Sequence, residues 1–250
     1  MKAMILAAGL GARLRPLTDD RPKALVTVAG RTLLEIALAR LRAFGVREVI
    51  VNVHHLAAQI VETLEANRNF GMRIEISRED VLLDTGGGLK KAAWFFLEGG
   101  ESADEPFLVH NVDVLSTIDL GRMARFHTEH NALATLAVQR RETSRYLLFD
   151  EQGQLCGRRP GNDGQPEWAR PAQKFQALAF SGIHVLSPRI FALMPEVGAF
   201  PIVPAYLRLA AQGEKIIAFH ADEFYWRDLG RPENLIAAAS DLASGKYPLG

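Results

Sequence analysis

The sequence predicts an α/β fold, a Rossmann-like and mainly parallel central sheet with helices on both faces and a smaller, more antiparallel part. Short apolar runs alternate with segments of helical period through the first half. A glycine- and arginine-bearing loop follows the first apolar run, where ligands of open α/β sheets bind. The second half is a succession of short runs separated by turn-like spacers. With 250 residues, 48% of them hydrophobic and 23% charged, the chain suits one domain with a sizeable core and is neither disordered nor collagenous.

Lys2 to Ala7 reads as a buried strand and Gly9 to Thr18 as the loop after it. Leu33, Leu34, Ile36, Ala37, Leu38 and Leu41 form a helical face that Gly45 closes. Glu48 to Val53 is a second strand, Leu56 to Leu64 a second helix and Met72 to Ser77 a third strand. Gly86 to Phe96 is a helix entered through three consecutive glycines, and Pro106 to His110 is a fourth strand ending at Asn111-Val112-Asp113.

Further on, Ala132 to Val138, Tyr146 to Asp150, Gln154 to Gly157, Ala177 to Leu186 and Lys215 to Ala218 read as strands. Arg158 to Ala172, rich in Pro and Gly, reads as a loop that could close over a ligand. Helices near Pro201 to Ala211 and Pro232 to Ala243 complete the order.

Twenty-nine Lys and Arg balance twenty-nine Asp and Glu, so a nucleic-acid binder working by bulk charge is not expected. Any anion must be met by a local cluster. Residues 1 to 25 supply one, with Lys2, Arg13, Arg15, Arg21 and Lys23 against only Asp19 and Asp20. Cys156 is the single cysteine, which excludes an internal disulfide and suits a reducing compartment; it reads as a small buried hydrophobe. The apolar start is too short for a signal peptide, and no run approaches the roughly 18 apolar residues of a membrane span. The expectation is a cytoplasmic monomer or small homo-oligomer with no membrane partner.

Glycine after a strand lets backbone N–H groups approach a phosphate with no Cβ in the way. Arg13 adds a forked donor and Lys23 a compact charge. The dinucleotide fingerprint would need a third glycine at Leu14, and the P-loop a Lys-Ser/Thr pair; neither is present. Gly86-Gly87-Gly88 is poor helix material, and its use is to lay backbone groups against a base or ribose at a helix N-terminus. Asp113, at the polar end of an apolar strand, either holds a hard cation or caps the next element. Adjacent His54 and His55 point apart and make a poor chelate, so zinc is disfavoured.

The run Leu6-Ala7-Ala8-Gly9-Leu10-Gly11-Ala12-Arg13-Leu14-Arg15-Pro16-Leu17-Thr18, followed by Pro22-Lys23, resembles the opening motif of the sugar-1-phosphate nucleotidyltransferases, or sugar-nucleotide pyrophosphorylases. The resemblance extends to Asn111-Val112-Asp113 and to Trp226-Arg227-Asp228-Leu229-Gly230-Arg231-Pro232, which look like the family's Asn-x-Asp and Trp-x-Asp metal segments. Asp84-Thr85-Gly86-Gly87-Gly88 is similar to the Glu-Thr-Gly-Gly-Gly of the uridylyltransferases of muramic acid recycling, with Asp in place of Glu.

The resemblance implies Arg13 and Lys23 as the catalytic cations and Ala8, Gly9, Gly11 and Ala12 around the triphosphate. It also implies Glu79, Thr85, Gly86, Gly87 and Asn111 at the nucleotide, and Asp113 and Asp228 as ligands of Mg2+. Gly182, in a Phe-Ser-Gly-Ile strand, would give the sugar room. Trp226 would join it, and Arg145 or the Lys174 region would hold the sugar phosphate. The family's Glu-Lys-Pro phosphate motif has Arg158-Arg159-Pro160 as its nearest counterpart.

The implied arrangement is one domain over residues 1–250, with a nucleotide-binding half (1–130), a sugar-phosphate-binding half (131–230) and a C-terminal helix and tail (231–250). The implied partners are a nucleoside triphosphate, leaning to UTP, and a sugar 1-phosphate such as N-acetylmuramate 1-phosphate. A GTP-dependent mannose- or heptose-1-phosphate guanylyltransferase is the alternative. A catalytically inactive sugar-nucleotide sensor is a further one, disfavoured because Arg13, Lys23 and both aspartates are present. An NAD-binding module is disfavoured by Leu14 and Lys23.

Overall fold

The computed structural model describes residues 1–98 and 105–247; the last three residues of the expected C-terminal tail lie outside the described residues. The first strand, β1 (Lys2–Leu6), leads through the glycine loop to a small hairpin, β2 (Thr27–Val28) and β3 (Arg31–Thr32), and then to α1 (Leu33–Ala43). Thr32 caps α1, its hydroxyl accepting from the Glu35 amide at 3.1 Å, a contact of the kind that contributes about 1 kcal/mol. β4 (Glu48–Val53), α2 (Ala57–Ala66), β5 (Arg73–Arg78), α3 (Asp84–Lys91), α4 (Ala93–Leu97) and β6 (Phe107–Asn111) follow.

The chain continues with β7 (Val114–Ser116), α5 (Leu120–Glu129), β8 (Ala134–Gln139), β9 (Arg145–Asp150) and β10 (Leu155–Pro160). The last elements are β11 (Glu167–Trp168), β12 (Phe175–Leu186), α6 (Ile202–Ala211), β13 (Ile216–His220), β14 (Trp226–Asp228) and α7 (Pro232–Ala243). One ten-stranded sheet runs in the order β11-β10-β9-β12-β6-β1-β4-β5, with β8 also paired to β12 and β13 to β8. β6, β1, β4 and β5 are parallel, whereas β12, β9, β10 and β11 are antiparallel neighbours. The antiparallel part therefore continues the parallel part of the sheet across β12 and β6.

Alternate side chains of the parallel strands are buried on opposite faces, as expected for a sheet covered by helices on both sides. Ala3, Ile5, Val49 and Val51 join Leu34, Leu38 and Leu41 of α1 and Leu235 of α7 on one face. Met4, Ile50 and Val109 join Leu89, Phe95 and the α6 residues Tyr206 and Leu209 on the other. Each fully buried Leu, Ile or Phe adds about 1.5–3 kcal/mol.

Two sequence expectations are corrected. First, the helix expected over Gly86 to Phe96 starts earlier, at Asp84, and divides at Ala92 into α3 and α4, so Gly86, Gly87 and Gly88 lie buried inside α3 rather than at its entry. A Cβ on Gly86 would come within 2.4 Å of Cε2 of Phe200, and one on Gly87 within 2.4 Å of the Gly198 carbonyl. The close approach of the segment before α6 repays the poor helix propensity of glycine. Second, Arg158 to Ala172 is only partly loop, because β10 runs on to Pro160 and Glu167–Trp168 returns to pair with it. Among the described residues no helix is long and apolar enough to cross a membrane.

Candidate active site

The site forms at the carboxyl edge of the parallel strands, where β1 and β6 end side by side. Leu6 is in register with Asn111, and the Val112 amide donates to the Leu6 carbonyl at 3.1 Å. Past β1 the buried Ala8 leads to exposed Gly9 and Leu10. Gly11 adopts φ +66°, and a Cβ there would press on Thr18 Cγ2 at 2.9 Å and on Lys23 Cβ at 3.1 Å. The Thr18 hydroxyl and the Leu14 amide both donate to the Gly11 carbonyl, at 2.9 and 2.8 Å. The loop thus folds back so that Ala12 and Arg13 stand on its outer side while Leu14 is buried in the core.

β14 pairs antiparallel with β7, which puts Asp228 opposite Val114 and so beside Asp113; the Leu229 amide donates to the Asp113 carbonyl at 2.7 Å. Gly230 lies at the point of convergence. A Cβ on it would meet Arg13 Nη2 and Asp228 Oδ1 at 2.8 Å each and Asp113 Oδ2 at 3.3 Å. The Gly230 amide donates to Asp228 Oδ1 at 2.8 Å, orienting that carboxylate. Lys23 reaches into the same place and pairs with Asp113 Oδ2, both side chains being nearly buried. Four residues from distant parts of the chain, two cations and two carboxylates, thereby occupy one spot.

These carboxylates suit a hard cation. Among the described residues no group of three or more His, Cys, Asp or Glu could hold a metal, so Asp113 and Asp228 form a sparse set. Mg2+ fits it, since it usually takes one or two protein carboxylates and completes its shell with phosphate oxygens and water. His110 is buried behind Asn111, with Nδ1 2.7 Å from the Asn111 carbonyl. Burial pushes its pKa down to about 4, so at neutral pH it is an uncharged packing group.

The other expected nucleotide residues have structural duties. Glu79 is buried, one carboxylate oxygen accepting from Asn52 Nδ2 at 2.7 Å and the other from the Leu83 amide at 2.9 Å. Asn52 in turn accepts from the Ala7 amide at 2.7 Å. Glu79 is therefore a brace tying the end of β1 to the start of α3, and not an open group facing a base. The Gly86 and Gly87 amides both donate to the Phe200 carbonyl, at 2.9 and 3.1 Å, so they do not point at a ligand. The Thr85 hydroxyl accepts from the Ile202 amide at 3.0 Å and ties α3 to the start of α6.

Among the residues expected at a sugar, Gly182 has φ +71°, but the space left by its missing Cβ is taken by Asn111 Nδ2, 2.7 Å from where that carbon would stand. The expectation that this glycine leaves room for a sugar is corrected: it leaves room for Asn111, which lies on the neighbouring strand. Trp226 donates its indole N–H to the Ser181 carbonyl at 2.8 Å, and its face is covered by Arg141, whose guanidinium carbon is 3.6 Å from the ring centroid. Arg145 is exposed at the start of β9, opposite Pro160, and Lys174 forms an exposed pair with Glu151 at 3.2 Å. Neither is drawn into the cluster. Arg141 went unnoticed in sequence because it sits in an ordinary polar run, Gln139-Arg140-Arg141-Glu142, with no glycine or proline to mark it. Cys156 is fully buried and its thiol is pushed up to about 11 by burial, in keeping with an inert core residue.

Residues 2–245 match the family described as nucleotidyl transferase. An N-acetylmuramate alpha-1-phosphate uridylyltransferase of Caulobacter vibrioides is 36% identical, over 96% of this chain and 96% of the relative. A mannose-1-phosphate guanylyltransferase of Mycobacterium tuberculosis is 28% identical, over 98% of this chain but 66% of the relative. In fold, the chain resembles a putative glucose-1-phosphate thymidylyltransferase from Bacillus anthracis (TM-score 0.77, 17% identity, covering 96% of this chain and 94% of that one). It also resembles HddC from Yersinia pseudotuberculosis complexed with GMP-PN (TM-score 0.72, 22% identity, covering 96% and 98%).

Proposed function

The chain belongs to the nucleotidyl transferase family, and from that membership we propose that it transfers a nucleotidyl group from UTP to the 1-phosphate of an N-acetylated amino sugar such as N-acetylmuramate. The observation that carries the reading is the meeting of Arg13, Asp113 and Asp228 around Gly230, with Lys23 on Asp113. The uridylyltransferase relative, similar along nearly its whole length, supports UTP and the amino sugar.

In this reaction an oxygen of the sugar phosphate attacks the α-phosphorus of the triphosphate. The new P–O bond forms as the bond to the β-phosphate bridging oxygen breaks, and pyrophosphate leaves. The attacking phosphate is already ionised at neutral pH, so the chain needs no general base. Its residues act by position and charge. The glycine loop presents backbone amides to the triphosphate, Arg13 forks onto its oxygens, and Lys23 offsets charge at the reacting phosphate. Asp113 and Asp228 would hold Mg2+, which when bound supplies positive charge to the phosphate oxygens.

The test combines the purified chain and Mg2+ with each of UTP, GTP, CTP, ATP and dTTP and a set of sugar 1-phosphates, reading pyrophosphate release. The expected result is release with UTP and N-acetylmuramate 1-phosphate, abolished by EDTA. Release only with GTP and a mannose or heptose 1-phosphate would replace this reading by the guanylyltransferase one, to which the mannose-1-phosphate relatives point.

A further inference from the structure

We propose that Arg141 grips the phosphate of the sugar 1-phosphate, an inference that rests on the function proposed above and assigns that phosphate a holder. Arg141 follows β8 and lies over the face of Trp226, with its Nη2 donating to the Phe180 carbonyl at 2.8 Å. That is the one protein acceptor it has among the described residues, although a guanidinium carries five N–H donors. Its Nε is buried with no partner. No carboxylate pairs with it among the described residues, and burial lowers its pKa against the favourable pull of Asp228. A half-desolvated guanidinium with spare donors and no acid of its own is suited to receive an anion.

Its place is set by two strands. Trp226 and Asp228 are alternate residues of β14 and share one face of it, whereas Arg227 between them turns to Asp241 at 2.6 Å. A cation stacked on Trp226 therefore stands on the face that carries Asp228. The second strand is β12, whose register breaks between Phe180 and His184. There three successive residues each fix a different partner: the Phe180 carbonyl holds Arg141, the Ser181 carbonyl holds Trp226, and Gly182 admits Asn111. The plane of the guanidinium is thus fixed from its face by the indole and from its edge by a carbonyl, beside a carboxylate of the reaction centre. Such preorganisation lowers the cost of binding a dianion. A second arginine, Arg159, stands over the ring of Tyr146, its guanidinium carbon 5.4 Å from the centroid.

Arg141→Gln and Arg141→Lys test the assignment in steady-state kinetics. The expected result is a KM for the sugar 1-phosphate raised at least about tenfold in Arg141→Gln and less in Arg141→Lys, with the KM for the nucleoside triphosphate little changed. In parallel, the thermal shift given by the sugar 1-phosphate alone should shrink in both variants while that given by the triphosphate with Mg2+ persists. An unchanged KM for the sugar 1-phosphate, or an equal rise in both KM values, would overturn the assignment. Should Arg141→Gln fail to fold, Arg141→Lys, which keeps the charge and loses the fork, decides by the same readouts. A wild-type chain that releases pyrophosphate with no sugar 1-phosphate would instead sink the function on which the assignment rests.

Discussion

Lys23 and Asp113, 90 residues apart in sequence, form a nearly buried ion pair at the meeting point of the glycine loop and the end of β6. The pair holds the two halves of the charge cluster together before any ligand arrives. Losing one partner leaves the other charge uncompensated in a poorly solvated place, at a cost of roughly 2–4 kcal/mol. Lys23→Met is therefore expected to lower the denaturant midpoint, and Lys23→Met with Asp113→Asn to recover part of the loss. Both variants should lose pyrophosphate release by at least about 10²-fold, since charge at the reacting phosphates is no longer offset. Stability that does not recover in the double variant would show that the pair is not what Lys23 contributes.

Gly230→Ala separates chemistry from folding. The added methyl group would contact Arg13 Nη2 and Asp228 Oδ1 at 2.8 Å, both at the ends of side chains. The expected outcome is a stability change under about 1 kcal/mol and a fall in kcat of about tenfold or more, because roughly an ångström of displacement at reacting groups is costly. Unimpaired turnover would refute the convergence at Gly230.

Gly87→Ala is expected to behave in the opposite way. Its methyl group would press on the Gly198 backbone carbonyl at 2.4 Å, and a main-chain atom cannot swing aside. A loss of about 1–3 kcal/mol is expected in chemical denaturation. A variant as stable as wild type would mean that the segment before α6 is free to move away.

His184 is buried, with Nδ1 2.6 Å from the Tyr206 hydroxyl, and burial pushes its pKa from 6.5 down to about 3. The unfolded chain takes up this proton near pH 6.5 and the folded chain does so only near pH 3. The contribution of a neutral His184 is therefore complete above pH 6.5 and is lost as pH falls from 6.5 to about 3, at roughly 1.4 kcal/mol per pH unit. Denaturation of His184→Gln across this range should show a shallower fall by that slope; an identical slope would mean that the proton goes elsewhere.

What the sequence determined by itself was local. Glu48–Val53 is a strand because Val49, Ile50, Val51 and Val53 form a short β-branched apolar run, and Pro232–Ala243 a helix because proline opens it and its apolar residues recur at helical spacing. Arg13, Lys23, Asp113 and Asp228 were legible because each stands in a short segment that resembles a family motif: the glycine- and arginine-bearing opening run, Pro22-Lys23, Asn111-Val112-Asp113 and Trp226-Arg227-Asp228. What only the tertiary structure decided depends on distant atoms. A helix around Gly86 was legible although each glycine costs it about 1 kcal/mol. Why the positions must be glycine was not: Phe200 and Gly198, over a hundred residues on, approach to where only hydrogen fits. Glu79 became a brace by finding Asn52 and Leu83, and Gly182 a seat for Asn111 by strand pairing. Arg141 is one surface-like arginine among many until β12 and β14 bring Phe180 and Trp226 around it. Pairing register and close packing place such groups, and neither is written in the spacing of neighbouring residues.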